Sequence, residues 1–116
     1  MKEVIETDYF LSNVKFYIRK KKYTKLPQDI KTVTDELTQG NLIGDKLDNL
    51  DLPHGDVYKV RIANSSVKEG KSNGFRLLYY AVLNKKIYLL TIYSKKDDIR
   101  VLNDKQIAIL AKNILI

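Results

Sequence analysis

Two neighbouring apolar segments in the second half of the chain constrain the fold most. They read FRLLYYAVL and KIYLLTIYS, and only Asn84 and Lys85 separate them. Segments of this length, rich in β-branched and aromatic residues and joined by so short a link, are typical of the two strands of a β-hairpin. Because both strands are apolar on both faces, we expect helices to cover much of each face.

Apolar residues recur at helical spacing in three other places. The first helix has Thr7 as its N-cap and ends in the basic run 19–22, where cations suit the negative end of the helix dipole. The third begins with Asn103 and Gln106, which form an Asn-initiated relative of the capping box. The second ends at Gly40 and has its apolar positions at steps of four, three and four residues: Leu26, Ile30, Val33 and Leu37.

A strand of alternating character precedes the hairpin. In VYKVRIA, residues 57–63, three apolar side chains fall on one face, and Lys59 and Arg61 fall together on the other. Residues 2–6 form a short opening strand, and residues 41–55, with their Gly, Pro, Asp and Asn, form a connecting loop. The order β-α-α-β-β-β-α predicts one α+β domain over residues 1–116, with a small antiparallel sheet, two N-terminal helices and one C-terminal helix.

The positive charge is concentrated in one half of the chain. The formal net charge is +7, yet residues 1–58 hold 9 basic and 10 acidic side chains, whereas residues 59–116 hold 12 basic and 4 acidic ones. A merely basic domain does not explain this asymmetry. It predicts a polyanion-binding surface built mainly from the second half.

The residues that the chain lacks exclude several kinds of chemistry. Without cysteine it has no disulfide, thiolate nucleophile or cysteine zinc site. The one histidine, His54, lies in a Pro-Gly loop and is interpreted as a surface residue. No stretch approaches the roughly 20 apolar residues of a membrane span, and MKEVIETDYF has acids where a signal peptide needs its apolar core. We expect a cytoplasmic protein that uses no metal or other cofactor.

The candidate site is a set of cations on the predicted strands. Lys59 and Arg61 share a strand face, Arg76 lies near the start of the next strand, and Lys95 and Lys96 lie at the end of the last. Since sequential antiparallel strands are neighbours, these side chains should converge at one end of the sheet. Such cations, gathered without nearby acids, are stable only where water or a polyanion screens them.

Arg76 is the most informative of these cations. It lies in GKSNGFRLLYY, and a charge in an apolar strand requires solvent, a counter-charge or a ligand. We interpret it as a phosphate ligand whose removal should leave the fold intact. Tyrosines that could stack on a base interleave with the cations, although each taken singly is more often a core residue: Tyr79, Tyr80, Tyr88 and Tyr93.

Together these residues resemble a known family. The run VYKVRIA…GKSNGFRLLYYAVLNKKIYLLTIYSKKDD…LNDKQI is similar to the RelE/ParE toxin superfamily, most closely to its HigB-like branch of type II toxin–antitoxin toxins. The resemblance covers residues 57–107 and implies a RelE-like fold. It also implies a metal-independent mRNA endoribonuclease that acts at the ribosome and inhibits translation. Cleavage would occur by attack of a ribose 2′-hydroxyl on the adjacent phosphate, giving a 2′,3′-cyclic phosphate.

The resemblance also implies roles for single residues. Lys59 is the expected general base or electrostatic activator of the 2′-hydroxyl, and Arg61 and Arg76 are expected to grip the scissile phosphate. The stretch DDIRVLN lacks the aromatic or histidine acid of several RelE-type toxins, which leaves the acid open. The remaining expected residues are Lys95, Lys96 and Tyr93 near the leaving 5′-oxygen, and Lys71 and Tyr80 as RNA-binding residues.

Two other functions remain open at this point. A ParE-like toxin would poison DNA gyrase without cutting RNA, but such chains usually do not keep all of these sheet cations. A non-catalytic RNA-binding module needs only the basic face. A toxin further implies an antitoxin partner, and we expect an acidic segment that folds on the basic sheet. The ribosome and mRNA are the other expected partners, and no membrane is expected.

Overall fold

A computed structural model describes residues 2–97 and 100–114. Within these ranges, three α-helices and five strands form an α+β arrangement, with two helices before the main run of strands and one after it, which confirms the predicted fold class. In chain order they are β1 (Glu3–Glu6), α1 (Asp8–Arg19), α2 (Leu26–Thr38), β2 (Asp45–Lys46), β3 (Gly55–Ile62), β4 (Phe75–Val82), β5 (Lys86–Ser94) and α3 (Asp104–Ile114).

The sheet has the strand order β1-β5-β4-β3-β2. Strands β3, β4 and β5 form the expected antiparallel meander, and β1 pairs in parallel with the outer edge of β5. The two-residue β2 was not predicted, because residues 41–55 were interpreted as a loop. It pairs with β3, and Gly44 beside it has a φ of 98° and lies where a Cβ would collide with the Lys59 carbonyl.

Helices cover both faces of the sheet, as expected from its apolar strands. Helices α1 and α2 pack on the face that carries Val60, Leu77 and Leu89. On the opposite face, Ile107 and Ala111 of α3 join a second apolar cluster with strand residues that include Leu78, Tyr80 and Leu90. Because α3 contributes only these two buried residues, it covers only part of its face.

Two helix starts have the caps that the sequence predicts. The Thr7 hydroxyl accepts a hydrogen bond from the Phe10 amide and donates one to the Leu89 carbonyl, so that it also fixes α1 to β5. Asn103 and Gln106 bond reciprocally, each side chain accepting from the other's backbone N–H at 2.8–2.9 Å. Within the described ranges, no helix combines the length and apolar character needed to cross a bilayer.

Candidate functional site

The predicted strand cations form a row on β3 and β4 of the α3 face, and Tyr93 extends this row on β5. Arg61 of β3 lies directly opposite Arg76 of β4, which lies directly opposite Tyr93 of β5. Lys59 lies two residues along β3 on the same face, opposite Leu78. Side chains at such positions are neighbours about 5 Å apart at Cβ. The structure therefore brings Lys59, Arg61 and Arg76 together as predicted.

Arg76 has a structural role that the sequence did not indicate. Its side chain is buried, with 9% exposed, and its guanidinium donates to the backbone carbonyls of Lys71, Ser72 and Phe75 at 3.1–3.2 Å. Hydrogen bonds to backbone carbonyls therefore account for the place of Arg76 in the strand, and the solvent, counter-charge or ligand expected from the sequence is not needed. Removal of Arg76 should therefore affect the fold, contrary to the expectation from sequence.

Arg76 nonetheless retains donors for a ligand. Nη1 and Nη2 reach the carbonyls of the adjacent residues Lys71 and Ser72, which occupies the end of the planar group. A guanidinium has five N–H donors, and three are used within the described ranges. The Nε–H and the second Nη2–H, which share one edge of the group, are left. That edge is the fork with which an arginine can bind two oxygens of one phosphate.

The Arg61–Arg76 pair places two positive charges side by side. Among residues 2–97 and 100–114, no carboxylate lies within 4.0 Å of either guanidinium. Like charges directly opposite each other destabilise a sheet. Carbonyl contacts stabilise Arg76, and Arg61 is exposed to water. An anion bound between them would remove the remaining repulsion.

Lys59 has an acidic neighbour that the sequence analysis missed. The unpredicted strand β2 places Asp45 directly opposite Lys59. The expectation that the cations gather without nearby acids is therefore wrong at this position. Lys59 itself is half-buried, whereas Arg61 is exposed. Among the described residues the two side chains form no ion pair within 4.0 Å, so Asp45 is a cross-strand neighbour of Lys59 and not its direct partner.

Lys95 and Lys96 lie at the predicted end of the sheet but differ in their contacts. The Lys95 backbone N–H donates to the Gly74 carbonyl, two residues before Arg76. Lys96 forms an ion pair with Glu69 at 2.5 Å, and this hydrogen bond and the carboxylate charge raise the pKa of Lys96. The charge of Lys96 is thus matched locally, whereas Lys95 is an exposed cation near the row.

The tyrosines are mainly core residues. Tyr79 lies on the α1–α2 face, where it stacks on Tyr58 and donates to the Ile43 carbonyl. Tyr80 is 1% exposed in the α3 cluster, so its ring has no free face for a base, and its expected RNA-binding role is not supported. Tyr93 is also buried, but it lies beside Arg76; burial raises the pKa of its hydroxyl, and the Arg76 charge lowers it in part. Lys71 is exposed in the loop before β4.

A polar network that sequence reasoning missed fixes the chain beyond β5. The Tyr17 hydroxyl accepts from the Ser94 backbone N–H at 2.9 Å and donates to the Asp97 carboxylate at 2.8 Å. Arg100 bonds Asp97, and its guanidinium lies 3.6 Å from the ring centroid of Phe16. The partners of Tyr17 lie 77 and 80 positions away along the chain, so no local pattern indicates their pairing. The network holds the segment that carries Lys95 and Lys96 against α1.

Buried Asn13 is the one part of this network with a sequence signal. It is a polar residue within the apolar stripe of α1 and is 1% exposed. Its amide donates to Thr91 of β5 and accepts from Arg100. Within the described ranges, no three His, Asp or Glu side chains cluster as a metal site would require.

Comparison with protein-family models finds no match for this chain, and comparison with curated proteins finds no significant match.

Proposed function

We propose that the protein is a HigB-like toxin of the RelE/ParE superfamily, a metal-independent endoribonuclease that cuts mRNA at the ribosome and inhibits translation in the cytoplasm. The proposal rests on the resemblance over residues 57–107 and on one structural observation. Lys59, Arg61 and Arg76 share one sheet face, on which Arg61 is exposed, Lys59 is half-buried and Arg76 is buried. Three fixed cations around one position suit a reaction whose transition state carries extra negative charge on phosphate.

The proposed reaction assigns one task to each group. Lys59, as an ammonium group, stabilises O2′ electrostatically while the ribose 2′-hydroxyl gives its proton to water and O2′ bonds to phosphorus. Arg61 and the free edge of Arg76 bind the non-bridging oxygens, and the bond from phosphorus to O5′ breaks. The departing O5′ takes a proton from Lys95 or from the Tyr93 hydroxyl. Burial raises the pKa of Tyr93, which by itself makes the hydroxyl a weaker acid, and the Arg76 charge offsets part of that rise.

In vitro translation of a defined mRNA, followed by mapping of new 5′ ends by primer extension, tests the proposal. Arg61→Ala removes a cation that makes no structural hydrogen bond within the described ranges, and it should lower cleavage at least a hundredfold. Lys105→Ala, an exposed cation on α3, is the matched control and should cut as the wild type does. The absence of new ends with the wild type, or equal cleavage by Arg61→Ala, would contradict the proposal.

A non-catalytic RNA-binding module is the second candidate. The observations that favour it are the Arg76 contacts to loop carbonyls and the Lys96–Glu69 ion pair, because both give cations a role without catalysis. Retained RNA binding without new 5′ ends would support it. Inhibition of DNA gyrase supercoiling without RNA cleavage would instead support a ParE-like toxin.

The sheet face that carries the cation row is also the proposed docking surface for an antitoxin. An acidic segment that folds on binding would neutralise Arg61 and cover the cation row. Co-expression with the product of the adjacent reading frame, followed by a pull-down, should recover a complex that Arg61→Glu weakens. Failure of the wild-type pair to co-purify would contradict this part of the proposal.

A further inference from the structure

A second group of cations lies outside the sheet. The basic segment, residues 19–25, reads RKKKYTK and holds five cations in seven positions. All five side chains are exposed, and in the described part of the chain none of them forms an ion pair. The charge balance of residues 1–58 conceals this group, because acids elsewhere in that half offset it.

The basic segment is fixed near the sheet by its aromatic residue. Tyr23 stacks on Tyr17 at 6.2 Å and meets the edge of Phe75 at 5.8 Å. Phe75 begins β4 and directly precedes Arg76. In addition, the Lys25 backbone N–H donates to the Ser66 hydroxyl at 2.9 Å, which joins the segment to the loop after β3. The lysines therefore lie at the end of the sheet where β4 begins, on a separate element.

The kind of partner follows from what the basic segment lacks. Its one aromatic residue, Tyr23, packs against the core, as does Leu26 directly after the segment, so the segment presents no exposed apolar side chain for a membrane or for the anchor of a protein interface. Single-strand binders combine cations with exposed rings on which bases stack, and the Tyr23 ring is packed against Tyr17 and Phe75. Exposed cations without exposed rings suit the phosphates of a double helix, whose charge density is high.

We propose that the basic segment binds the phosphate backbone of double-helical RNA. This inference rests on the proposed function, under which RNA is the expected polyanionic partner. It concerns a second RNA contact, beside the one on the sheet. The sheet cations would act on the single strand that is cut. The segment would hold a neighbouring structured RNA, without regard to its sequence, and so add affinity through release of counterions.

The salt dependence of binding to a short RNA duplex, measured by fluorescence anisotropy on the full chain, tests the inference. The segment variant carries Lys20→Gln, Lys21→Gln and Lys25→Gln. Log affinity falls as log salt rises, and each lost phosphate contact reduces the magnitude of this slope by about 0.9. The loss of three contacts should therefore reduce it by about 2.7. A fourfold rise in salt should thus weaken wild-type binding roughly 40-fold more than binding of the variant.

A control variant of equal charge separates a local contact from net charge. Lys85→Gln, Lys105→Gln and Lys112→Gln also remove three exposed cations but lie outside the basic segment. Their combined effect on the slope should be less than that of one lost contact. Equal effects of the two triple variants would overturn the inference. So would tighter binding of a DNA duplex than of the RNA duplex, or an equal loss of affinity for single-stranded RNA.

The two proposals can fail separately. Arg61→Ala should lower cleavage at least a hundredfold yet keep duplex binding, because Arg61 lies on the sheet and outside the basic segment. If translation extracts show no new 5′ ends but the segment variant loses duplex binding, the nuclease proposal fails and the backbone contact stands. If cleavage occurs and duplex binding is unchanged in the segment variant, the contact proposed here is wrong.

Discussion

Replacement of Arg76 by alanine tests the structural role of this side chain directly. The variant loses three hydrogen bonds from a charged donor to carbonyl oxygens. Lys71 and Ser72 are exposed, so their carbonyls can bond water instead, whereas the Phe75 carbonyl contact is buried. One buried acceptor that loses a charged donor costs about 1–3 kcal/mol, and relief of the repulsion with Arg61 returns a few tenths. We expect the free energy of unfolding to fall by about 2 kcal/mol.

Urea unfolding at 25 °C, followed by circular dichroism, measures this loss. At this chain length about 2 kcal/mol also lowers the melting temperature by about 8 °C. Arg61→Ala is the matched control on the neighbouring strand. Its side chain is exposed and makes no hydrogen bond within the described ranges, so its unfolding free energy should stay within about 0.5 kcal/mol of the wild type. If the two variants unfold alike, the carbonyl contacts of Arg76 do not stabilise the loop, and the reasoning fails.

Three further predictions concern the fold around the site. Tyr17→Phe removes the acceptor of a buried strand N–H and should lower the unfolding free energy by about 1–3 kcal/mol, whereas Tyr23→Phe should stay within about 0.5 kcal/mol in the same urea titration. Gly74→Ala should destabilise by more than about 1 kcal/mol because a Cβ would collide with the Ile62 backbone, and Gly70→Ala, in open space, should not lower the melting temperature. Burial raises the pKa of Tyr17 and Tyr79 above the ordinary 10.0, so above about pH 10 the folded state holds protons that the unfolded state releases. The free energy of unfolding should therefore fall as pH rises above about 10. Tyrosinate absorbance should rise together with unfolding.

Local patterns predicted most of the fold because most of its elements are defined by neighbours in sequence. The alternation in β3 and the spacing in α2 gave the buried faces, and the Asn103–Gln106 capping box formed as predicted. Strand β2 escaped prediction because two residues show no periodicity. The position of β2 depends on Gly44, which lets the chain approach β3 closely. This contact joins residues that are distant in sequence, so a local pattern does not indicate it.

The strand positions of the candidate site residues could be predicted from the sequence, but their hydrogen-bond partners could not. Alternation placed Lys59 and Arg61 on one face, and hairpin order placed Arg76 beside them. The carbonyl partners of Arg76 could not be predicted, because they depend on the path of the loop at Lys71 and Ser72. For the same reason the pairing of Lys96 with Glu69, 27 residues away, could not be predicted.

Hydrogen bonds to buried or half-buried carboxylates fix two of the loops that carry these cations. The buried Asp29 carboxylate accepts from the backbone and hydroxyl of Ser65, which fixes the loop after β3 to α2. Asp97 fixes the segment after β5 through Tyr17. Removal of one acceptor leaves buried donors unpaired, so such a substitution can move cations that it does not touch. The effects of Asp29→Ala and of the segment variant on the free energy of duplex binding should therefore be non-additive when combined. The effects of Asp29→Ala and Lys112→Gln on the same quantity should be additive.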